Sequence, residues 1–330
     1  VGFGYIGRHH YDAIMSNKTK YSLEVIYETN ILKKEKARIS NKIKFFKNLN
    51  NKNIPEDLDV LVITAPTFLH TSLAETALKK VSIVIIEKPL GIVFKKAKKI
   101  INLANKQKKK VIVVKQLRMN PYYLFLKKII DKNFLGKIHF VSSEIFLNRS
   151  EKYFSNSNWK GLKKYDGGTL LNQISHFVDL FQWLFGDLKS FYGAKIFENK
   201  KKNENSGHFS IFFKNKIFAS LNYSVKCFEK NLHSKITILS DNANLEVYPD
   251  NIVLKNSSRK IKHYVNKNFK KLHLQNKKFG KGFVKFYDEV YNLINTNNYN
   301  KNHISLNNDA LKNFKNLFYI NKKMRVFYND

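Results

Sequence analysis

Runs of β-branched and aliphatic residues at 23–27, 58–64, 81–87 and 111–115 alternate with stretches at 6–16, 70–80 and 94–106 whose apolar residues recur at helical spacing. A strand that is apolar at consecutive positions buries both faces, which an antiparallel sheet with one solvated face does not require. Strands separated by a helix length of chain pair in parallel through right-handed crossovers, with helices covering both faces. The alternation therefore predicts an α/β fold for residues 1–120, a doubly wound parallel sheet of the Rossmann kind.

Past Pro121 the rhythm changes. Helical patterns at 122–132 and 165–187 flank an extended run at 138–148, and shorter runs follow at 190–198, 207–214, 216–225, 235–240 and 243–248. Short turns such as Lys214-Asn215 predict a largely antiparallel open sheet. The tail carries two further helical patterns, 282–294 and 305–323. This reading divides the chain into an α/β domain, 1–120, and an α+β domain, 121–330.

Lysine and arginine outnumber acidic residues 60 to 25, a formal charge of +35. The excess is mostly lysine spread along the whole chain, without helix-turn-helix or zinc-finger spacing, so nucleic acid is not an expected partner. A basic field does favour an anionic substrate. No apolar stretch reaches bilayer length, so no membrane partner is expected and a cytoplasmic location is. Cys227 is the only cysteine, which excludes an internal disulfide and a thiolate metal site, and no metal is expected.

Two local patterns carry chemistry. Gly2, Gly4 and Gly7 form a GxGxxG loop enclosing Tyr5 and Ile6, and Glu28 ends the following strand where an acidic residue receives ribose hydroxyls. Only Val1 precedes the loop, so the first strand is expected to be truncated and stability lowered. Within 165–187, Asn172, His176 and Asp179 fall on one helical stripe. An imidazole beside a fixed amide is suited to moving a proton near neutral pH; a core histidine satisfied by a neighbour is the alternative.

Glu87-Lys88-Pro89 resembles the EKP motif of the Gfo/Idh/MocA oxidoreductase family. The Gly2 to Gly7 loop, Thr64-Ala65-Pro66 followed by His70, Arg118-Met119-Asn120-Pro121 and the Gly167-Gly168 lead into His176 extend the resemblance over essentially the whole chain. It implies NAD as cofactor and Lys88 and His176 as catalytic groups at the nicotinamide. Thr64, Pro66, His70, Glu87 and Lys88 join the Gly loop and Glu28 in the implied cofactor site.

Many sugar and polyol members have aspartate four residues before the histidine, where this chain has Asn172 followed by Gln173. With Arg149, Tyr153 and Trp159-Lys160-Gly161, that form resembles the branch oxidising UDP-N-acetylglucosaminuronic acid at C3 for surface polysaccharides. Arg118, Arg149, Tyr153, Asn172, Gln173 and His176 are then the implied substrate residues, the two arginines as anion contacts. Val81 and Ile174 depart from the family's usual small residues. A dehydrogenase of free polyols or aldoses and a non-catalytic NAD-binding sensor remain the alternatives, and a homodimer or homotetramer is implied by resemblance.

Overall fold

The computed structural model describes residues 1–30, 39, 42–155, 157–198, 202–279 and 282–328. They fall into two compact units, Val1–Gln116 with Lys281–Lys315, and Leu117–Gly280 with Asn316–Asp330.

The first unit runs α1 (Tyr5–Met15), β1 (Val25–Tyr27), β2 (Lys44–Phe46), β3 (Val60–Ile63), α2 (His70–Ala77), β4 (Ile83–Ile86), α3 (Phe94–Lys106) and β5 (Lys110–Val113). Strands β3, β4 and β5 are parallel, with Val60 opposite Ile83 and Ile86 opposite Val113. All four β4 residues are buried, as expected of a central strand covered on both faces. Helix α3 turns Ala97, Ile100, Ile101 and Ala104 inward, the spacing of one apolar stripe. Strands β1 and β2 pair separately, also in parallel. Val1 and Gly2 lie between the two groups: Gly2 N–H donates to Tyr27 O at 2.8 Å, and Thr64 N–H donates to Val1 O at 2.8 Å.

The second unit contains α4 (Pro121–Asp131), β6 (Ile138–Phe146), α5 (Glu151–Ser155), α6 (Lys163–Asp166), α7 (Ser175–Phe185), β7 (Leu188–Phe197), β8 (Ser206–Phe213), β9 (Phe218–Ser224), β10 (His233–Ser240), β11 (Ala243–Val247), β12 (Ile252–Ser257) and α8 (Arg259–Phe279). The tail adds α9 (Phe283–Asn295), β13 (Ser305–Leu306), α10 (Asn307–Lys323) and β14 (Arg325–Tyr328). Asn120 caps α4 by accepting from the Tyr122 and Tyr123 N–H groups, and Pro121 sits at the start where its missing N–H costs nothing. The large sheet has the order β12-β11-β10-β6-β9-β8-β7-β14. The β6–β9 and β7–β14 pairs are parallel and the rest antiparallel, so the sheet is mixed but largely antiparallel, as expected.

Three of the departures from the sequence reading concern the longer helices and the tail. The 165–187 segment is not one helix: Gly167 (φ 82°) ends α6, Gly168 (φ 115°) follows, and a π-helical turn over Leu170–Ile174 leads into α7. Two successive left-handed residues cannot continue a right-handed helix, whatever the apolar spacing around them. The tail does not belong wholly to a 121–330 block, because α9 and β13 pack with the first unit. Phe283, Phe286, Tyr287, Val290 and Leu293 give α9 a buried face, and β13 pairs with the otherwise open edge of β5. Helix α8 has no counterpart in the sequence reading, since its buried Ile261, Val265 and Leu272 are sparse among lysines. No helix among the described residues is long and apolar enough to cross a membrane.

Candidate active site

In the first unit the Gly loop leaves one face open. A Cβ on Gly7 would lie 2.3 Å from Gly2 O and 3.0 Å from Thr64 Oγ1; one on Gly2 would lie 2.7 Å from Ala65 N. Those two glycines close the loop against the end of β3, where the Thr64 hydroxyl also donates to Gly2 O at 2.6 Å. A Cβ on Gly4 meets no described atom within 4 Å. Gly4 is also the N-cap of α1 and brings no capping side chain to the helix end. Open space at a helix N-terminus, where N–H groups and the helix dipole favour negative charge, fits a pyrophosphate.

This asymmetry makes a testable pair. Gly7→Ala is expected to cost about 1–3 kcal/mol of stability through overpacking, read as a lower Tm. Gly4→Ala is expected to leave Tm unchanged while weakening NAD binding by about tenfold or more, a loss of roughly 1.4 kcal/mol or greater. Equal NAD affinity in Gly4→Ala and the parent chain would show that the pyrophosphate lies elsewhere.

Glu28 follows β1 and is tied to the loop: one carboxylate oxygen accepts from Phe3 N–H at 2.6 Å, the other from Thr29 Oγ1 at 3.1 Å and Asn30 N–H at 3.0 Å. Tyr5 is exposed, its ring edge-on to His9, and Pro66 leads the short 3-10 turn Thr67–Leu69. His70 departs from the implied cofactor role: it is buried, with Nδ1 2.8 Å from Pro89 O and Nε2 2.8 Å from Ala65 O. It braces the loop after β3 against the loop after β4. Burial lowers its pKa despite those carbonyls.

Lys88 stands just past the C-terminal end of β4, the edge at which doubly wound sheets bind ligands, and is half-buried. Glu87 beside it is buried. Burial pushes its pKa up, but the hydrogen bond and electrostatic attraction from His10, together with the Lys88 charge, outweigh this and hold it below the ordinary value.

The second unit gathers three of the expected substrate residues. Gln173 Oε1 accepts from Arg149 Nε at 3.0 Å, Gln173 Nε2 donates to Tyr153 Oη at 3.0 Å, and the Arg149 guanidinium lies 5.2 Å from the Tyr153 ring centre. Burial raises the Tyr153 pKa, partly offset by the Arg149 charge, so the phenol stays protonated. Arg149 lines a cavity of about 610 Å³ with Lys160, Lys202, Lys226, Asn203 and Glu204. The buried Asn203 Oδ1 has no hydrogen-bond partner among the described residues.

Arg118 is not in this group. Its fork is buried on Asp179, with Nε 2.9 Å from one carboxylate oxygen and Nη2 2.7 Å from the other. A bidentate buried pair commits the guanidinium to the core, which removes Arg118 from the expected anion contacts and Asp179 from the expected stripe. Asn172 donates its amide to Asp166, which also accepts from Gly161 N–H and Asn203 Nδ2. His176 is half-buried in the first turn of α7.

Asp166, Asn203 and Glu204 had no place in the sequence reading. Glu204 accepts from Leu170 N–H at 2.7 Å and so anchors the π-helical turn, and burial raises its pKa. Asp166 directly precedes the Gly167-Gly168 pair, the one local hint; Asn203 and Glu204 lie more than thirty residues from their partners.

Comparison with known proteins bears on the family and the fold. Residues 1–115 match the family described as "Oxidoreductase family, NAD-binding Rossmann fold", and residues 123–246 the "GFO/IDH/MocA C-terminal domain". The fold is similar to the WlbA dehydrogenase from Bordetella pertussis, solved with NADH and UDP-GlcNAcA, at a TM-score of 0.85 and 24% identity over 97% of this chain and 93% of that one. An uncharacterized oxidoreductase of Synechocystis is 22% identical over 58% of this chain and 51% of its own length. Glucose-6-phosphate 3-dehydrogenase of Bacillus subtilis is 26% identical over 67% of this chain and 65% of its own. The chain thus spans between about half and two thirds of these curated relatives' length. With both of its domains matched over well more than half of the residues, the chain belongs to the Gfo/Idh/MocA oxidoreductase family and carries that family's NAD-binding Rossmann domain.

Proposed function

We propose that this chain is an NAD-dependent dehydrogenase oxidising a ring hydroxyl, at C3, of a nucleotide-activated sugar such as UDP-N-acetylglucosaminuronic acid, in the making of surface-polysaccharide sugars. The observation that carries the reading is the Arg149–Gln173–Tyr153 cluster, whose Arg149 lines a cavity of about 610 Å³ together with Lys160, Lys202 and Lys226 and with Glu151, Glu198 and Glu204. A diphosphate or uronate suits a guanidinium fork held in place by a neighbouring amide. The unpartnered Asn203 Oδ1 suits a ligand hydroxyl donor. A structural relative solved with UDP-GlcNAcA supports the same class of ligand.

The Gly2 to Gly7 loop and Glu28 would hold NAD, which when bound would supply the hydride acceptor for the sugar carbon. His176 takes the hydroxyl proton, a task matched to an imidazole near neutral pH. Lys88 hydrogen-bonds the reacting oxygen and stabilises the negative charge that gathers there. Contacts to the remote diphosphate contribute binding energy that orients the pyranose.

The test is NAD reduction with a panel of UDP-N-acetylglucosaminuronic acid, UDP-N-acetylglucosamine, glucose 6-phosphate and myo-inositol. The UDP-uronate is expected to be used best. Arg149→Ala is expected to raise its KM by about ten- to a hundredfold, the loss of a charged hydrogen bond worth roughly 1.5–3 kcal/mol, with little change for myo-inositol. Equal loss on both would make Arg149 part of the scaffold. Turnover of myo-inositol alone would replace the nucleotide-sugar reading with a polyol one.

A further inference from the structure

The first unit holds a buried hydrogen-bonded chain that ends at Lys88. His10 on α1 and Tyr287 on α9 are 3% and 1% exposed. Tyr287 Oη lies 2.8 Å from His10 Nδ1, and His10 Nε2 lies 3.1 Å from Glu87 Oε1. The other Glu87 oxygen accepts from the Lys88 N–H at 3.1 Å. Phe283 packs on the imidazole with ring centres 4.5 Å apart, and Tyr21 donates to the Tyr287 carbonyl at 2.6 Å, so His10 and Tyr287 are each held by a neighbour.

Proton accounting gives the chain a direction. Burial, reinforced by Tyr21 and Glu87, raises the Tyr287 pKa well above the ordinary value, so its hydroxyl keeps its proton. The hydroxyl faces Nδ1 of His10. A carboxylate only accepts, so it is the Nε2 proton that reaches Glu87. One Glu87 oxygen is thus held by His10 and the other by the amide of Lys88 itself, so a turn of the carboxylate would release the peptide that aims the lysine.

We propose that His10 and Tyr287 are positioning residues for the reaction: through Glu87 they fix the backbone from which Lys88 reaches the substrate oxygen. The inference rests on the reading of Lys88 as catalytic. Tyr287 lies outside both matched stretches, 1–115 and 123–246, so the tail that returns to the first unit brings to the site a part that neither match covers.

The side-chain nitrogen of glutamine lies three bonds from Cβ, as Nε2 of histidine does; both amide atoms of asparagine, its accepting oxygen included, lie two bonds away, as Nδ1 does. His10→Gln therefore restores the donor to Glu87, His10→Asn restores only the end facing Tyr287, and His10→Phe restores neither. With UDP-N-acetylglucosaminuronic acid and NAD, kcat is expected to fall on the order of 10²-fold in His10→Phe and His10→Asn, the scale of a misplaced catalytic group. The KM for NAD should stay near the parent value, and His10→Gln should recover to within a few-fold. In amide NMR spectra of the substrate-free protein, the Lys88 N–H resonance should move in His10→Phe and return in His10→Gln.

An unmoved Lys88 amide in His10→Phe overturns this inference alone. So does a Gln variant no better than the Phe variant, with losses that follow Tm. A Lys88→Ala variant with full turnover overturns both this inference and the catalytic reading beneath it. If UDP-N-acetylglucosaminuronic acid is not a substrate, the amide comparison decides.

Discussion

Replacing Lys88 or His176 by alanine lowers turnover of the best sugar by about 10² to 10⁴, the usual worth of a positioned acid or base, and leaves the NAD dissociation constant near its parent value. Both groups are assigned to the reacting hydroxyl, so their loss is felt where charge and proton move and not where adenosine binds. Without His176 the hydroxyl proton has no assigned acceptor. Without Lys88 the developing charge on oxygen loses a donor that needs no reorganisation during the reaction. Single-turnover measurement with saturating NAD separates chemistry from product release. Near-parental turnover in either alanine variant would make that residue structural.

A second large effect concerns cofactor choice: NAD is expected to bind in strong preference to NADP. Glu28 is tied by Phe3, Thr29 and Asn30 beside the Gly loop, so its carboxylate is held there. Of the roughly four acceptor positions of a carboxylate, these bonds take three, which leaves room for a ribose hydroxyl and none for another anion. Two like charges about 4 Å apart at an effective dielectric near 20 repel by roughly 4 kcal/mol before screening, about a thousandfold in affinity. The preference should narrow with added salt and in Glu28→Gln. Comparable dissociation constants for the two cofactors would refute this role of Glu28.

The parts of the molecule that were legible in the sequence are those set by local pattern. The β4 run of Ile83–Ile86 and the 97, 100, 101, 104 stripe of α3 announce strand and helix within a few residues. The loop glycines and the Glu87-Lys88-Pro89 triplet are equally local. What stayed hidden is partner choice over long separations. Arg118 has a guanidinium fork that suits a phosphate or a carboxylate, and only the fold decides that Asp179, 61 residues on, receives it. Helix α9 shows its apolar face plainly, yet periodicity does not say which of two cores it covers. The Gly167-Gly168 break was readable from composition, but the apolar spacing around it outweighed the turn signal.

The return of the tail also limits how this protein is taken apart. An exchange of cofactor halves between family members, cut once near residue 116, would carry the Gly loop and Lys88 but leave behind β13, which closes the β5 edge, and Tyr287, which sits against His10. The transplanted half would arrive with an open sheet edge and a buried imidazole lacking its phenol partner. A working chimera has to be spliced at two seams, so that the halves are inherited as a discontinuous pair, and the cofactor module of this chain is not a contiguous cassette.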